Sequence, residues 1–220
     1  MKPDRFHRLK AVLDRRQPDL TVLMENVHKG HNFAAVLRSC DAVGMLSAHA
    51  VLPTGHLPSH RRMSAAGAKR WIEVHTHTRL EQGVEVVRGR GMQLLAAHLS
   101  PRAVDYREVD YTQPTAILLG QEKDGVTQEA IESCDGEIVI PMEGMVGSLN
   151  VSVAAAVILF EAQRQRSQAG LYETQRLEES NYQRILFEWA YPRLASLCQR
   201  RGEPYPPLGP DGELLGPVPR

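Results

Sequence analysis

The sequence predicts an α/β fold: a parallel sheet flanked by helices on both faces, with helical extensions at the two ends. Short, unbroken apolar segments alternate with helix-like ones through the middle of the chain, and continuous apolar strands mark a sheet covered on both sides. Two glycine-bearing loops, residues 120–125 and 144–150, each follow such a strand. Strand, glycine turn and helix start is how α/β proteins set backbone N–H groups around a small ligand. With 220 residues and 42% hydrophobic content the chain can bury one substantial core,.

The elements follow in order. Residues 5–16 are helix-like and basic. A strand is predicted over 20–24, then a helix over 32–43, with Asn32 at its N-cap and Gly44 at the C′ stop,. Strands at 48–52, 71–74, 92–97, 116–119 and 137–140 are separated by helices at 80–88 and 127–133. The second glycine loop runs into a helix of small and aliphatic residues at 151–160, and 177–200 is helix-like again. Residues 203–220 contain nine Pro or Gly in eighteen, and are expected to be an extended or disordered tail,. The expected organisation is a basic N-terminal helix over 1–18, a central domain over 19–163, a basic helical extension over 164–202 and the tail.

The formal net charge of zero hides an asymmetry. Residues 1–18 carry six Lys or Arg against two acids, residues 162–202 seven against four, and residues 100–150 three against ten. With the Arg61-Arg62 and Lys69-Arg70 pairs, the basic ends read as a phosphate-contacting surface, and a polyanion partner is expected. Arg8, Arg15, Arg16, Arg164, Arg166 and Arg193 are the candidates. No segment approaches the roughly 20 apolar residues of a membrane span, and the start lacks a signal peptide's apolar stretch, so a cytoplasmic protein is expected. Cys40, Cys134 and Cys198 are widely spaced, as buried thiols rather than zinc ligands would be,. His28 and His31 have no partner at metal-ligand spacing, and no metal is expected.

The segments 32–38, 118–125, and 138–142 through 148–153 resemble, in order, the three motifs of the SPOUT class of RNA methyltransferases. About residues 1–202 resemble its TrmH branch, the tRNA guanosine-18 2′-O-methyltransferases. The resemblance implies a deep trefoil knot over roughly residues 115–160, S-adenosyl-L-methionine held among the knot loops, a homodimer with each active site bordered by both subunits, and tRNA as partner. Carried over by position, Arg38 matches the catalytic arginine and Asn32 the polar residue that holds the site together. Glu122 matches the acid of the second motif, and Ser148 and Asn150 the polar residues of the third. Ala97, Gly120, Ile140, Met142, Ser148 and Leu149 fall where the cofactor is contacted. Arg38 is then a base or a cationic stabiliser of the 2′-oxyanion; a guanidinium gives up its proton reluctantly, which makes the first role costly, and both stand at this point. The alternatives are a ribosomal-RNA 2′-O-methyltransferase of the same family, or a non-catalytic tRNA-binding or folding protein.

Overall fold

Seven strands form one sheet in which every pairing is parallel. The computed structural model describes residues 1–57, 70–121 and 125–216. The strands are β1 (Leu20–Glu25), β2 (Ser47–Val51), β3 (Glu73–His77), β4 (Gln93–Ala97), β5 (Val104–Asp105), β6 (Thr115–Leu119) and β7 (Gly136–Val139), in the order β3-β2-β1-β6-β4-β7-β5. The helices are α1 (Pro3–Leu13), α2 (Gly30–Ala42), α3 (Leu80–Gly89), α4 (Gln128–Glu132), α5 (Val151–Gln168), α6 (Glu179–Ala190) and α7 (Pro192–Arg201). Arg61, Arg62 and Lys69 lie outside the described residues, as does Glu122.

Period-2 alternation along the strands sends side chains to two cores. Leu20, Val22 and Met24 of β1 pack with Phe33, Val36 and Leu37 of α2 and with Ala155, Ile158 and Leu159 of α5. Leu23, one residue out of phase, packs on the other face with Val84 and Val87 of α3 and Ala130 and Ile131 of α4. Helices therefore cover both faces, as expected of strands that are apolar throughout. The approach on the α3 side is close: a Cβ added to Gly83 would stand 2.7 Å from the Leu23 side chain.

Helix α2 begins two residues earlier than the sequence suggests. Lys29 occupies the N-cap without a side-chain bond, so Asn32 lies inside the first turn instead of capping it. The other end is as expected: Gly44 has φ 77, and the Gly44 and Met45 N–H groups bond the carbonyls of Asp41 and Cys40, a Schellman closure. The helical stretch 177–200 is divided in two, because Pro192 denies its N–H and pushes Tyr191 out of helical geometry, to φ −131 and ψ 60,.

The chain separates into two compact units, Gln17–Leu171 and a second built from both ends, Met1–Arg16 with Tyr172–Arg220. In the first, α5 continues without a break to Gln168, across the boundary expected at 163. Its far end is held by Arg166, whose side chain has no exposed surface. The guanidinium donates to Asp19 Oδ1 at 2.6 Å, to Gln17 Oε1 at 3.1 Å and to the carbonyls of Tyr111, Gln113 and Asp19. In the second unit, α1 buries Phe6, Leu9 and Leu13, and the Tyr182 hydroxyl of α6 donates to Asp14 at 2.6 Å. Of the tail expected to be extended or disordered, residues 203–216 are extended and packed in place. Tyr205 stacks on Phe187 with centroids 4.5 Å apart, the Tyr191 hydroxyl donates to the Gly212 carbonyl, and Leu208 bridges Leu214.

Candidate active site

The carboxyl ends of β4, β6 and β7 open onto a cavity of about 330 Å³. Its position follows from topology: in an open parallel sheet the loops leaving the strand ends splay apart and leave room for a ligand. Its size falls in the range of small-molecule and cofactor sites. Ala97 comes from the end of β4, Gly120 from the turn after β6, Ile140 and Met142 from the stretch after β7, and Ser148 and Leu149 from the loop that enters α5. All six line the cavity. His98 and Leu99 line it too; the sequence signal for them was only their place just beyond an apolar strand.

Gly120 is a steric requirement. A Cβ there would stand 2.2 Å from the carbonyl of Gly125 and 2.4 Å from the Val126 nitrogen. That approach exists because Gln121 and Gly125 exchange two backbone hydrogen bonds of 3.1 Å each, closing the loop on itself, with Gly125 at φ 68. The cavity thus offers aliphatic walls from Leu119, Ile138, Val139 and Leu149, and backbone polar groups at Gly120 and Gly147. A cavity of this size with aliphatic walls and glycines among its lining residues suits a small ligand with a flat heterocyclic part.

Asn150 caps α5, its Oδ1 accepting from the Ser152 N–H at 2.9 Å and the Ser152 hydroxyl at 2.6 Å. Its amide donates to Asn32 Oδ1 at 3.4 Å, so the first and third motifs meet at Asn150, between Leu149 and Val151, which line the cavity. Asn32 is 3% exposed, and its own amide nitrogen has no protein partner among the described residues. A buried donor left unmatched is a group a ligand can satisfy. Arg38 stands apart. Six residues beyond Asn32 is about 240° around a helix, and Arg38 is exposed with no hydrogen bond or ion pair to another described residue. It does not line the cavity.

The predicted phosphate-binding arginines divide. Arg8, Arg15, Arg164 and Arg193 are exposed, although Arg164 is engaged with Glu161 at 2.7 Å and Gln168 at 2.7 Å. Arg16 and Arg166 are corrections to the expectation. Arg16 is 1% exposed with its guanidinium 5.1 Å from the Trp189 ring, and Arg166 is consumed by the internal network described above. Neither presents a surface to a phosphate. His28 and His31 are exposed, with His28 Nδ1 on the Asn26 carbonyl at 2.8 Å. No cluster of ligating side chains suited to a metal ion occurs among the described residues. Nor is any helix among the described residues long and apolar enough to cross a membrane. Cys40 and Cys198 are buried, and Cys134 is half-buried with its thiol on the Ala130 carbonyl.

Residues 19–160 match the model of the SpoU rRNA Methylase family, and residues 164–217 that of the SpoU, rRNA methylase, C-terminal family. A tRNA (guanosine(18)-2′-O)-methyltransferase of Escherichia coli K12 is 53% identical over 216 residues, 97% of this chain and 94% of the relative. The crystal structure of the Aquifex aeolicus TrmH/SpoU tRNA modifying enzyme is similar with a TM-score of 0.78 at 42% identity, covering 86% of this chain and 96% of that one. The SpoU methyltransferase AviRb of Streptomyces viridochromogenes, crystallised in complex with AdoMet, gives a TM-score of 0.62 at 27% identity, over 70% of this chain and 64% of that one.

Proposed function

Because the chain belongs to the SpoU rRNA methylase family, we propose that it is a methyltransferase that uses S-adenosyl-L-methionine to methylate the ribose 2′-hydroxyl of guanosine 18 in the D-loop of tRNA. The observation that carries the reading is the convergence of Ala97, Gly120, Ile140, Met142, Ser148 and Leu149 on one cavity at the strand ends. The E. coli relative, similar along nearly the whole chain, supports tRNA as the acceptor. The exposed Arg8, Arg15, Arg164 and Arg193 supply the cationic contacts that position an RNA backbone without reading its sequence. Arg70, the described member of its pair, and Arg61, Arg62 and Lys69 extend the same expectation. Cytoplasmic residence accords with a tRNA substrate.

The residues that line the cavity would hold the cofactor, Gly120 and Leu149 through their main chains and Ile140 and Met142 by apolar contact. The cofactor supplies an electrophilic methyl group on a sulfonium. The protein's part is to hold the 2′-oxygen in line with that methyl, at the roughly 3 Å separation from which transfer proceeds. Asn32 and Asn150 orient the ribose with their amides, Ser148 adds a hydroxyl at the rim, and Glu122 is assigned to the same loop system. Arg38 remains a cation, binds the adjacent phosphate and stabilises negative charge as it develops on the 2′-oxygen. With Arg38 keeping its own proton, the 2′-hydroxyl proton would pass to solvent water as the methyl group is transferred.

Arg38 reaches the chemistry from a second copy of the chain. Val153 and Phe160, seven residues apart on α5, are 47% and 51% exposed, and Met145 and Val146 of the preceding loop are exposed beside them in sequence. An apolar stripe at helical spacing suits a homodimer interface. The path of the chain through residues 115–160, where β6 inserts between β1 and β4 and β7 between β4 and β5, accords with the trefoil knot expected from the family.

The test is methylation of unmodified tRNA with labelled S-adenosyl-L-methionine followed by nucleoside mapping. The expected product is 2′-O-methylguanosine at position 18. Labelling of ribosomal RNA alone would move the assignment to the other branch, and labelling of neither would leave a binding protein. Arg38→Ala is expected to lower kcat at saturating tRNA by about 100-fold or more while S-adenosyl-L-methionine affinity holds. Near-normal turnover would remove Arg38 from the mechanism.

A further inference from the structure

Glu25, the last residue of β1, is a carboxylate only 4% exposed at the end of an otherwise apolar strand. It shares a strand face with Leu23, the face covered by α3 and α4. Both of its oxygens are used on a single residue 102 positions away. Oε2 accepts from the Thr127 N–H at 3.0 Å and Oε1 from the Thr127 hydroxyl at 2.6 Å. The same hydroxyl accepts from the Ala130 N–H at 3.2 Å and caps α4. An acceptor-only group is what two donors on one residue require, and bonds to a carboxylate are stronger than neutral ones. Burial of the carboxylate is costly without such partners, so its presence in a buried strand calls for a reason beyond filling space.

The reason lies in what precedes Thr127. Gly125 and Val126 line the cavity, and the Gly125 carbonyl is the atom that a Cβ on Gly120 would meet. The position of residues 125–127 therefore sets the width of the cleft beside Gly120. On one side these residues are tied to Gln121, just beyond β6, by the paired Gln121–Gly125 hydrogen bonds, and Val126 is buried in the core on the Leu23 face. On the other, the Glu25–Thr127 pair ties them to β1 by hydrogen bonds. The next residue, Asn26, stands at φ 55 and donates its N–H to the Val51 carbonyl, turning the chain towards α2, which carries Asn32. The tip of β1 thus borders the Gly125–Val126 wall on one side and leads to Asn32 on the other.

The geometry points to Glu25 as a positioning residue for the methyl-donor cavity, acting through Thr127 on the Gly125–Val126 wall; this rests on the reading that the cavity takes S-adenosyl-L-methionine. Glu25 does not touch the cofactor in this scheme. Its removal acts on cofactor affinity and not on the RNA surface.

The experiment compares Glu25→Ala, Glu25→Gln, Thr127→Val, Thr127→Ser and the Glu25→Ala/Thr127→Val double variant. Titration with S-adenosyl-L-methionine is expected to show about tenfold weaker binding for Glu25→Ala and for Thr127→Val. The double variant should be no weaker than either single one, because both act on one contact. Thr127→Ser, which keeps the hydroxyl, should bind within about twofold of the parent, Glu25→Gln should fall between, and the tRNA KM should not move. Hydrogen exchange without cofactor should show faster exchange of the Thr127 amide in Glu25→Ala. Unchanged cofactor affinity in a folded Glu25→Ala or Thr127→Val protein, or additive losses in the double variant, would overturn the proposal. A parent protein that binds no S-adenosyl-L-methionine would overturn the functional reading instead. In that case, unaltered Thr127 exchange in Glu25→Ala would show that Glu25 does not hold the loop either.

Discussion

Replacing Arg166 by Ala separates two roles that arginines near the end of α5 can have. The guanidinium has no exposed surface and makes five hydrogen bonds, two of them to Asp19. Truncation leaves the Asp19 carboxylate, 18% exposed, without its cation and strips donors from the carbonyls of Tyr111 and Gln113. Breaking a fully buried pair from one side costs about 3–5 kcal/mol, and the partial exposure of Asp19 puts this pair near the lower end. For a unit the size of Gln17–Leu171, each kcal/mol moves the melting temperature by roughly 2–4 °C, so a fall of about 10 °C is expected,. The companion measurement is tRNA affinity against salt at a temperature where the variant is folded. Loss of one phosphate contact lowers the slope of log K against log salt by a little under one. Arg166→Ala should leave that slope alone, whereas Arg8→Ala should lower it. Pairing Arg166→Met with Asp19→Leu should recover part of the stability, since no ion is then stranded. A wild-type melting temperature for Arg166→Ala together with a reduced salt slope would refute the reasoning and restore Arg166 to the RNA surface.

Three further outcomes follow from the geometry. Gly120→Ala places a methyl group 2.2 Å from the Gly125 carbonyl carbon and oxygen, and is expected to weaken S-adenosyl-L-methionine binding at least tenfold by calorimetry; equal affinity would show that the loop yields freely. Burial, followed by the neighbouring His75, Arg90 and His77, lowers the pKa of His49 to about 3, so the folded protein holds this imidazole neutral while the unfolded chain takes up a proton below about pH 6.5. The stabilising effect is whole above pH 6.5 and is lost as pH falls from there towards 3, about 2 kcal/mol of it by pH 5; denaturant melts should show that slope, and His49→Leu should flatten it. Phe160→Asp is expected to convert a dimer to monomers by light scattering and to reduce activity with it, and an unchanged mass would move the interface off α5.

Much of this architecture was legible because burial on both faces writes itself as unbroken apolar sequence. Leu20 to Met24 and Ala116 to Leu119 are strands whose neighbours are helices above and below. The edge strand β3 was read only at its start, since Glu-Val-His-Thr-His is half exposed and carries little apolar signal. Two-residue β5 is shorter than any periodicity can register. The glycine turns at strand ends marked the place of a pocket, and the individual cavity residues came from the resemblance to the family motifs. The arginines were not, since charge alone does not say whether a guanidinium faces water: Arg164 and Arg166 lie two residues apart, on opposite sides of α5. Glu25 and Thr127 escaped for a related reason. Their meaning is a contact across 102 residues, and nothing local to either announces it.

The unit made from Met1–Arg16 and Tyr172–Arg220 is discontinuous in sequence, which has a consequence for biosynthesis. Gln17–Leu171 is one uninterrupted stretch and can fold as soon as it leaves the ribosome. Asp14 and Arg16, just beyond α1, meet Tyr182 and Trp189 only after residues 179–190 have followed, and His7 meets Asp211 later still. Within these 220 residues, α1 is made well before the helices and tail with which it shares a compact unit.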